Sequence, residues 1–279
     1  MAATTLSEFR AELLASGSYR TSPEHRAAVR AKPGAWTTFR FSWSLLRPFR
    51  ISGIYEALGR FSCQKWTEFC FSTVTCAEAL GMNVILEGWE NRRGYDGPVM
   101  YLCNHMSMTE TVILPPIMLT FGPFSIVAKK ALAHLPFLEK AAEHMHIVGI
   151  GRKSPREDLM TILNVGTERM KGGDSFLIFP QGTRQKVFSR AKFSSIGAKL
   201  AERAGCPICP IVCDTRCQPT REKGIFRKVF KDFGPVDTSF DIRCACGPII
   251  PVGKSKEMNE AAFDWMATKL ESWGLPTER

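Results

Sequence analysis

From residue 83 onward the chain alternates short apolar runs with helical patterns, and that alternation narrows its possible folds more than any other feature. Residues 84–86, 99–103, 124–128, 147–150, 175–179, 208–213 and 241–246 read as strands. Between them, residues 107–119, 132–144, 156–171 and 192–205 carry helical spacing. Pro115-Pro116 is expected to kink or end the first of these helices, and Gly205 to close the last. Residues 255–273 form a further helix, with Met258, Ala262, Trp265, Met266, Leu270 and Trp273 near one face and Gly274 and Pro276 ending it. The reading is an α/β fold, with a mostly parallel or mixed central sheet covered by helices.

The first 82 residues differ. Residues 6–16 suit one short helix, and residues 17–34 are polar enough for a surface arm. Residues 36–82 suggest two helices broken near residues 60–62. Trp36, Phe39, Phe41, Trp43, Leu45, Leu46 and Phe49 are interleaved there with Arg40, Arg47 and Arg50. Aromatic, Arg-bearing helices too short to span a bilayer suit an interface, with rings at headgroup level and guanidinium groups on phosphates. The same pattern also suits two helices that only cover the core. The expected division is an arm over residues 1–35, a two-helix membrane-docking element over 36–82 and an α/β domain over 83–279.

The formal charge of +10 asks for an anionic partner: a membrane surface, a phosphorylated substrate or nucleic acid. The chain has 10 cysteines. Cys103, Cys213, Cys244 and Cys246 lie in apolar runs and read as reduced thiols. Cys206-Pro207-Ile208-Cys209 is a C-x-x-C, which leaves a zinc-binding, nucleic-acid-binding protein as a rival of another class. Its prolines and apolar spacers suit a buried strand better. No run of about 18 apolar residues marks a membrane span.

The chemistry concentrates after the strand at 99–103, in Asn104-His105-Met106-Ser107-Met108-Thr109-Glu110. Five positions of helix turn through roughly 500°, so His105 and Glu110 would not share a helical face. His105 belongs in the turn and Glu110 in the first turn of the helix. A neutral imidazole can take a proton from a hydroxyl while a carboxylate on its far nitrogen fixes the tautomer. Ser107-x-x-Glu110 is also a capping box, and both readings stand. About 75 residues on, the strand at 175–179 ends in Pro180-Gln181-Gly182-Thr183-Arg184. Ligands bind at such carboxyl ends of strands. Gly182 permits close backbone approach, and Arg184 offers a fork matched to phosphate.

Together, Asn-His-x-x-x-x-Glu and Phe-Pro-Gln-Gly-Thr-Arg resemble two signatures of the glycerolipid acyltransferase family, which includes the 1-acylglycerol-3-phosphate and lysophospholipid acyltransferases. Ala128-Lys129-Lys130-Ala131-Leu132, Gly151-Arg152 and Pro207-Ile208-Cys209-Pro210-Ile211-Val212 are similar to three more of its segments. The likeness runs from about residue 83 to residue 250.

The resemblance implies an acyl transfer from acyl-CoA or acyl carrier protein to the free hydroxyl of a lysophospholipid, foremost 1-acylglycerol-3-phosphate. Other lysophospholipids, glycerol-3-phosphate or an amino-acid lipid remain alternative acceptors. It implies His105 as base and Glu110 as its partner, together the catalytic pair. Asn104, Lys129, Arg152, Phe179, Pro180, Gln181, Gly182, Thr183 and Arg184 are then substrate-binding, and the helix start after Ser107 helps hold the oxyanion. No metal, no cofactor beyond the acyl donor and no nucleic-acid partner is implied. The expected place is an anionic membrane surface, as a peripheral or monotopic protein on the cytoplasmic face. The family more often has Asp at the position of Glu110 and Glu at that of Gln181, which leaves acceptor identity open.

Overall fold

A computed structural model describes residues 3–130, 142–143, 145–151, 154–220 and 233–279. The helix expected at 132–144 therefore falls largely outside the described residues, and residues 221–232, which carry Phe226 and Phe230 among Arg227, Lys228 and Lys231, lie outside them too.

Helix α1 (Leu6–Ser16) opens on a complete capping box between Thr5 and Glu8. Strand β1 (Tyr19–Arg20) follows, then α2 (Ala35–Ala57) and α3 (Cys63–Ala79). The alternating region supplies β2 (Val84–Glu87), α4 (Glu90–Arg93), β3 (Met100–Cys103), α5 (Thr109–Met118), β4 (Phe124–Lys129) and β5 (Ile147–Ile150). After it come α6 (Pro155–Lys171), β6 (Ser175–Ile178), β7 (Phe188–Ser189), α7 (Ile196–Ala204), β8 (Ile208–Asp214), β9 (Ile242–Cys246), α8 (Ser255–Ser272) and β10 (Thr277–Glu278).

Eight strands form one sheet in the order β1-β2-β9-β8-β3-β6-β4-β5. Strand β3 lies between β6 and β8 and is parallel to both. Strands β1 and β9 make the antiparallel contacts, with β2 and β8 respectively. The sheet is therefore mixed, with a continuous parallel run from β8 through β3, β6 and β4 to the edge strand β5. Side chains on β3 alternate between two cores. Tyr101 and Cys103 face one that includes residues of α1, α2, α3 and α5; Met100 and Leu102 face one built with α6, α7 and α8. Helices thus cover both faces, which is why the central strands read as unbroken apolar runs.

Three expectations change. Residues 17–34 are not all a surface arm: Tyr19 is buried and β1 extends the sheet through β2. Helix α5 continues through Pro115 and Pro116 to Met118. The helix expected from residue 192 starts at Ile196, because Arg190–Lys192 is a 3-10 turn and Phe193 is extended and buried.

Candidate active site

The loops after β3, β6 and β8 leave the same edge of the sheet, because the three strands are parallel neighbours. The site is assembled there. Asn104 follows β3 directly and is buried. Its Nδ2 donates to the Cys213 carbonyl at 2.8 Å, and the Cys213 amide donates to its Oδ1 at 2.7 Å. Both ends of the amide are thus spent on β8. Asn104 acts as a brace that fixes where the next residue leaves the sheet.

That next residue is His105. Its Nδ1 lies 2.9 Å from Oε1 of Glu110, with the imidazole 17% exposed and the carboxylate fully buried. Oε1 also accepts the amides of Met106 and, at 2.7 Å, Ser107. The Ser107 hydroxyl and the Thr215 hydroxyl donate to the other oxygen, Oε2, at 2.8 and 2.7 Å. Burial pushes the Glu110 carboxyl up. Donation and charge from His105, the Ser107 amide and Thr215 more than reverse this and hold it below its ordinary value. An ionised carboxylate only accepts, so the proton between the pair sits on His105 Nδ1 and the Nε2 lone pair remains to act as a base.

The capping box is realised in altered form. Glu110 does reach back to the Ser107 amide, but Ser107 Oγ accepts from Thr109 at 2.9 Å, and α5 starts at Thr109. The Met106 and Ser107 amides point at Glu110 and are already engaged, as is that of Thr109, which donates to Ser107 Oγ.

The loop after β6 lies against this pair. The Phe179 ring stacks on the His105 imidazole with centroids 4.3 Å apart and planes at 22°. The Gln185 amide donates to the His105 carbonyl at 2.8 Å. Gly182 has φ +66°, a left-handed conformation that favours glycine. The Gln181 side chain donates to the Val187 carbonyl at 3.0 Å, and the Ser194 amide donates to the Pro180 carbonyl at 3.1 Å, so these residues shape the loop. Thr183 is exposed and Arg184 half-buried. Arg152 and the Lys129 side chain lie outside the described residues.

Thr215 escaped the sequence reading. Its partner Glu110 is 105 residues away, and a lone threonine after an apolar strand gives no signal. A second pair also escaped it: His146 Nδ1 lies 2.6 Å from Asp174 Oδ2, which accepts the Ser125 hydroxyl at 2.8 Å. It sits at the amino ends of β4, β5 and β6, the opposite edge of the sheet from His105. Among the described residues no group of three or more His, Cys, Asp or Glu is arranged to hold a metal ion.

Residues 83–214 match the family model described as Acyltransferase. The 1-acyl-sn-glycerol-3-phosphate acyltransferase of Pseudomonas aeruginosa is 34% identical over 176 residues, which is 63% of each chain. Over residues 83–214 the chain is thus similar to the glycerolipid acyltransferases. The chloroplastic 1-acyl-sn-glycerol-3-phosphate acyltransferase LPAT1 of Arabidopsis thaliana is 29% identical over 143 residues, 50% of this chain and 39% of that relative. The chain thus spans less than two thirds of the length of these curated relatives. In fold, it resembles the crystal structure of the 1-acyl-sn-glycerophosphate acyltransferase from Thermotoga maritima, with a TM-score of 0.56 at 17% identity, over 86% of this chain and 95% of that one. The acyltransferase match starts just before β2 and stops at Asp214. It takes in His105, Glu110 and the loop after β6, and leaves α1, α2, α3 and α8 outside.

Proposed function

We propose that this chain transfers a fatty acyl group from a thioester donor to the free hydroxyl of 1-acylglycerol-3-phosphate, giving phosphatidic acid. The observation that carries this reading is the His105–Glu110 pair, with no hydrogen-bond partner for His105 Nε2 among the described residues, beside the Phe179 to Arg184 loop. His105 Nε2 takes the hydroxyl proton as the acceptor oxygen attacks the thioester carbonyl. The tetrahedral intermediate expels the thiolate, and His105 returns the proton to that sulfur. Glu110 stays ionised and stabilises the imidazolium. Arg184 and Thr183, with Arg152 and Lys129, are the groups assigned to the acceptor phosphate.

Direct attack is favoured over an acyl-enzyme. The Cys103 thiol is fully buried, and burial pushes it well above its ordinary value. Ser107 Oγ is buried and spends its proton on Glu110.

The outer face of α2 supports docking on an anionic membrane. Trp36, Phe39 and Trp43 are exposed and stack in a row, with centroids 5.7 and 5.6 Å apart. The Arg50 guanidinium lies 3.5 Å from the Trp43 ring centre, and Arg40 and Arg47 are exposed on the same helix. Ile54 and Leu58 extend the apolar surface. Among the described residues no helix is long and apolar enough to cross a membrane.

The test uses purified chain with labelled acyl-CoA or acyl-loaded carrier protein and a panel of lysolipids. Phosphatidic acid formed from 1-acylglycerol-3-phosphate, and lost in His105→Ala, is the expected result. Transfer to another lysophospholipid alone would reassign the acceptor; no transfer from either donor would overturn the reading.

A further inference from the structure

The end of β8 holds His105 from both sides. The Cys213 backbone grips Asn104, the residue before His105. Two residues on, the Thr215 hydroxyl grips Glu110, the residue that His105 leans on. Thr215 is fully buried, so its hydroxyl has no water to fall back on. Its backbone is fixed as well: the Gln218 amide donates to the Thr215 carbonyl at 3.0 Å, and the Thr109 hydroxyl donates to Gln218 Oε1 at 3.3 Å. The turn after β8 is thereby tied to the first turn of α5, the turn that carries Glu110.

We infer that Thr215 is a positioning residue for the acyl transfer, setting the rotation of the Glu110 carboxylate and through it the direction of His105. A glutamate has one more torsion than an aspartate, so its carboxylate needs more outside restraint. The two oxygens divide that work. Oε1 takes His105 and the turn amides, while Oε2, among the described residues, takes hydroxyls, from Ser107 and Thr215. Ser107 lies in the same turn as Glu110 and moves with it. Thr215 is the hydroxyl that refers the carboxylate to the sheet. Removing it leaves Oε2 of a buried charge short of a donor and frees the carboxylate to turn away from His105 Nδ1.

The inference rests on the acyl-transfer reading above, and its test separates the two. Thr215→Val, Thr215→Ala and Thr215→Ser are compared with the wild-type full chain in the acyl-CoA and 1-acylglycerol-3-phosphate assay. Thr215→Val is expected to lower kcat about tenfold, the worth of one hydrogen bond to a charged group, with KM for the acceptor unchanged. Thr215→Ser restores the hydroxyl and is expected to restore kcat. Thr215→Ala replaces the valine variant if that one is insoluble. Wild-type kcat in the valine or alanine variant, or a loss that serine does not restore, overturns the inference. A second readout needs no activity. The downfield proton resonance of His105 Nδ1 in 15N-histidine-labelled full chain is expected to be displaced by Thr215→Val or Thr215→Ala and restored by Thr215→Ser. If the wild type transfers no acyl group but this resonance follows the pattern, the function reading fails and the positioning role stands. If the resonance is unmoved, the positioning role fails.

Discussion

His105 Nδ1 and the Ser107 amide converge on one oxygen, Glu110 Oε1, at 2.9 and 2.7 Å. One carboxylate therefore closes the turn and orients the base. The cap and the base were competing readings of the same seven residues, and they turn out to be one arrangement. Glu110→Gln keeps the size but puts a neutral amide where His105 needs an acceptor charge. It is expected to lower kcat on the order of 1000-fold with a small change in KM, by analogy with the loss of charge in other His–carboxylate pairs. Steady-state kinetics checks this; an amide variant as fast as the wild type would remove Glu110 from the mechanism.

The same carboxylate links stability to acidity. Its folded value lies below its ordinary 4.5, so it stabilises the fold fully above that pH and loses the contribution as pH falls through the folded value. The difference in denaturant midpoint between the wild type and Glu110→Gln is expected to be widest near neutrality. It should narrow below pH 4.5. A gap that stays constant through that window would mean that Glu110 ionisation contributes nothing to folding.

Asn104 gives a separable prediction. Asn104→Ala leaves the Cys213 amide and carbonyl unpaired in a buried place, at about 1–3 kcal/mol for each group. Urea unfolding should therefore show a loss of a few kcal/mol. Because His105 is also set adrift, kcat should fall while KM for the acceptor holds. An unchanged unfolding midpoint would contradict the bracing role.

What the sequence made legible follows from what is local. The runs at 99–103, 175–179 and 208–213 announced strands because β3, β6 and β8 are buried on both faces. His105 and Glu110 were legible because the turn and the first turn of α5 are contiguous. Strand β1 was not, since two residues become a strand only through their pairing with Leu86 and Ile85. The bracing bonds of Asn104 and Gln181 were not legible, because the carbonyls that they hold, on Cys213 and Val187, come near only in three dimensions. The pairing of His146 with Asp174 was hidden by their separation of 28 positions in the chain.

The aromatic row on α2 gives the last prediction. Phe41, Leu45 and Pro48 bury the inner face of the helix, so Trp36, Phe39 and Trp43 on the outer face do little for the fold. Replacing all three with serine should leave the melting temperature nearly unchanged, as exposed substitutions usually do. Each ring buried at an interface contributes about 1.5–3 kcal/mol at most. The triple variant should therefore lose well over tenfold in binding to vesicles containing anionic phosphatidylglycerol. Flotation measures this directly, and adding salt should weaken the residual binding if Arg40, Arg47 and Arg50 contribute. Transfer to a short-chain, monomeric acceptor should continue at the wild-type rate, because the row lies on α2 and the reacting groups lie at the ends of β3, β6 and β8. Vesicle binding equal to the wild type would exclude this face as the docking surface.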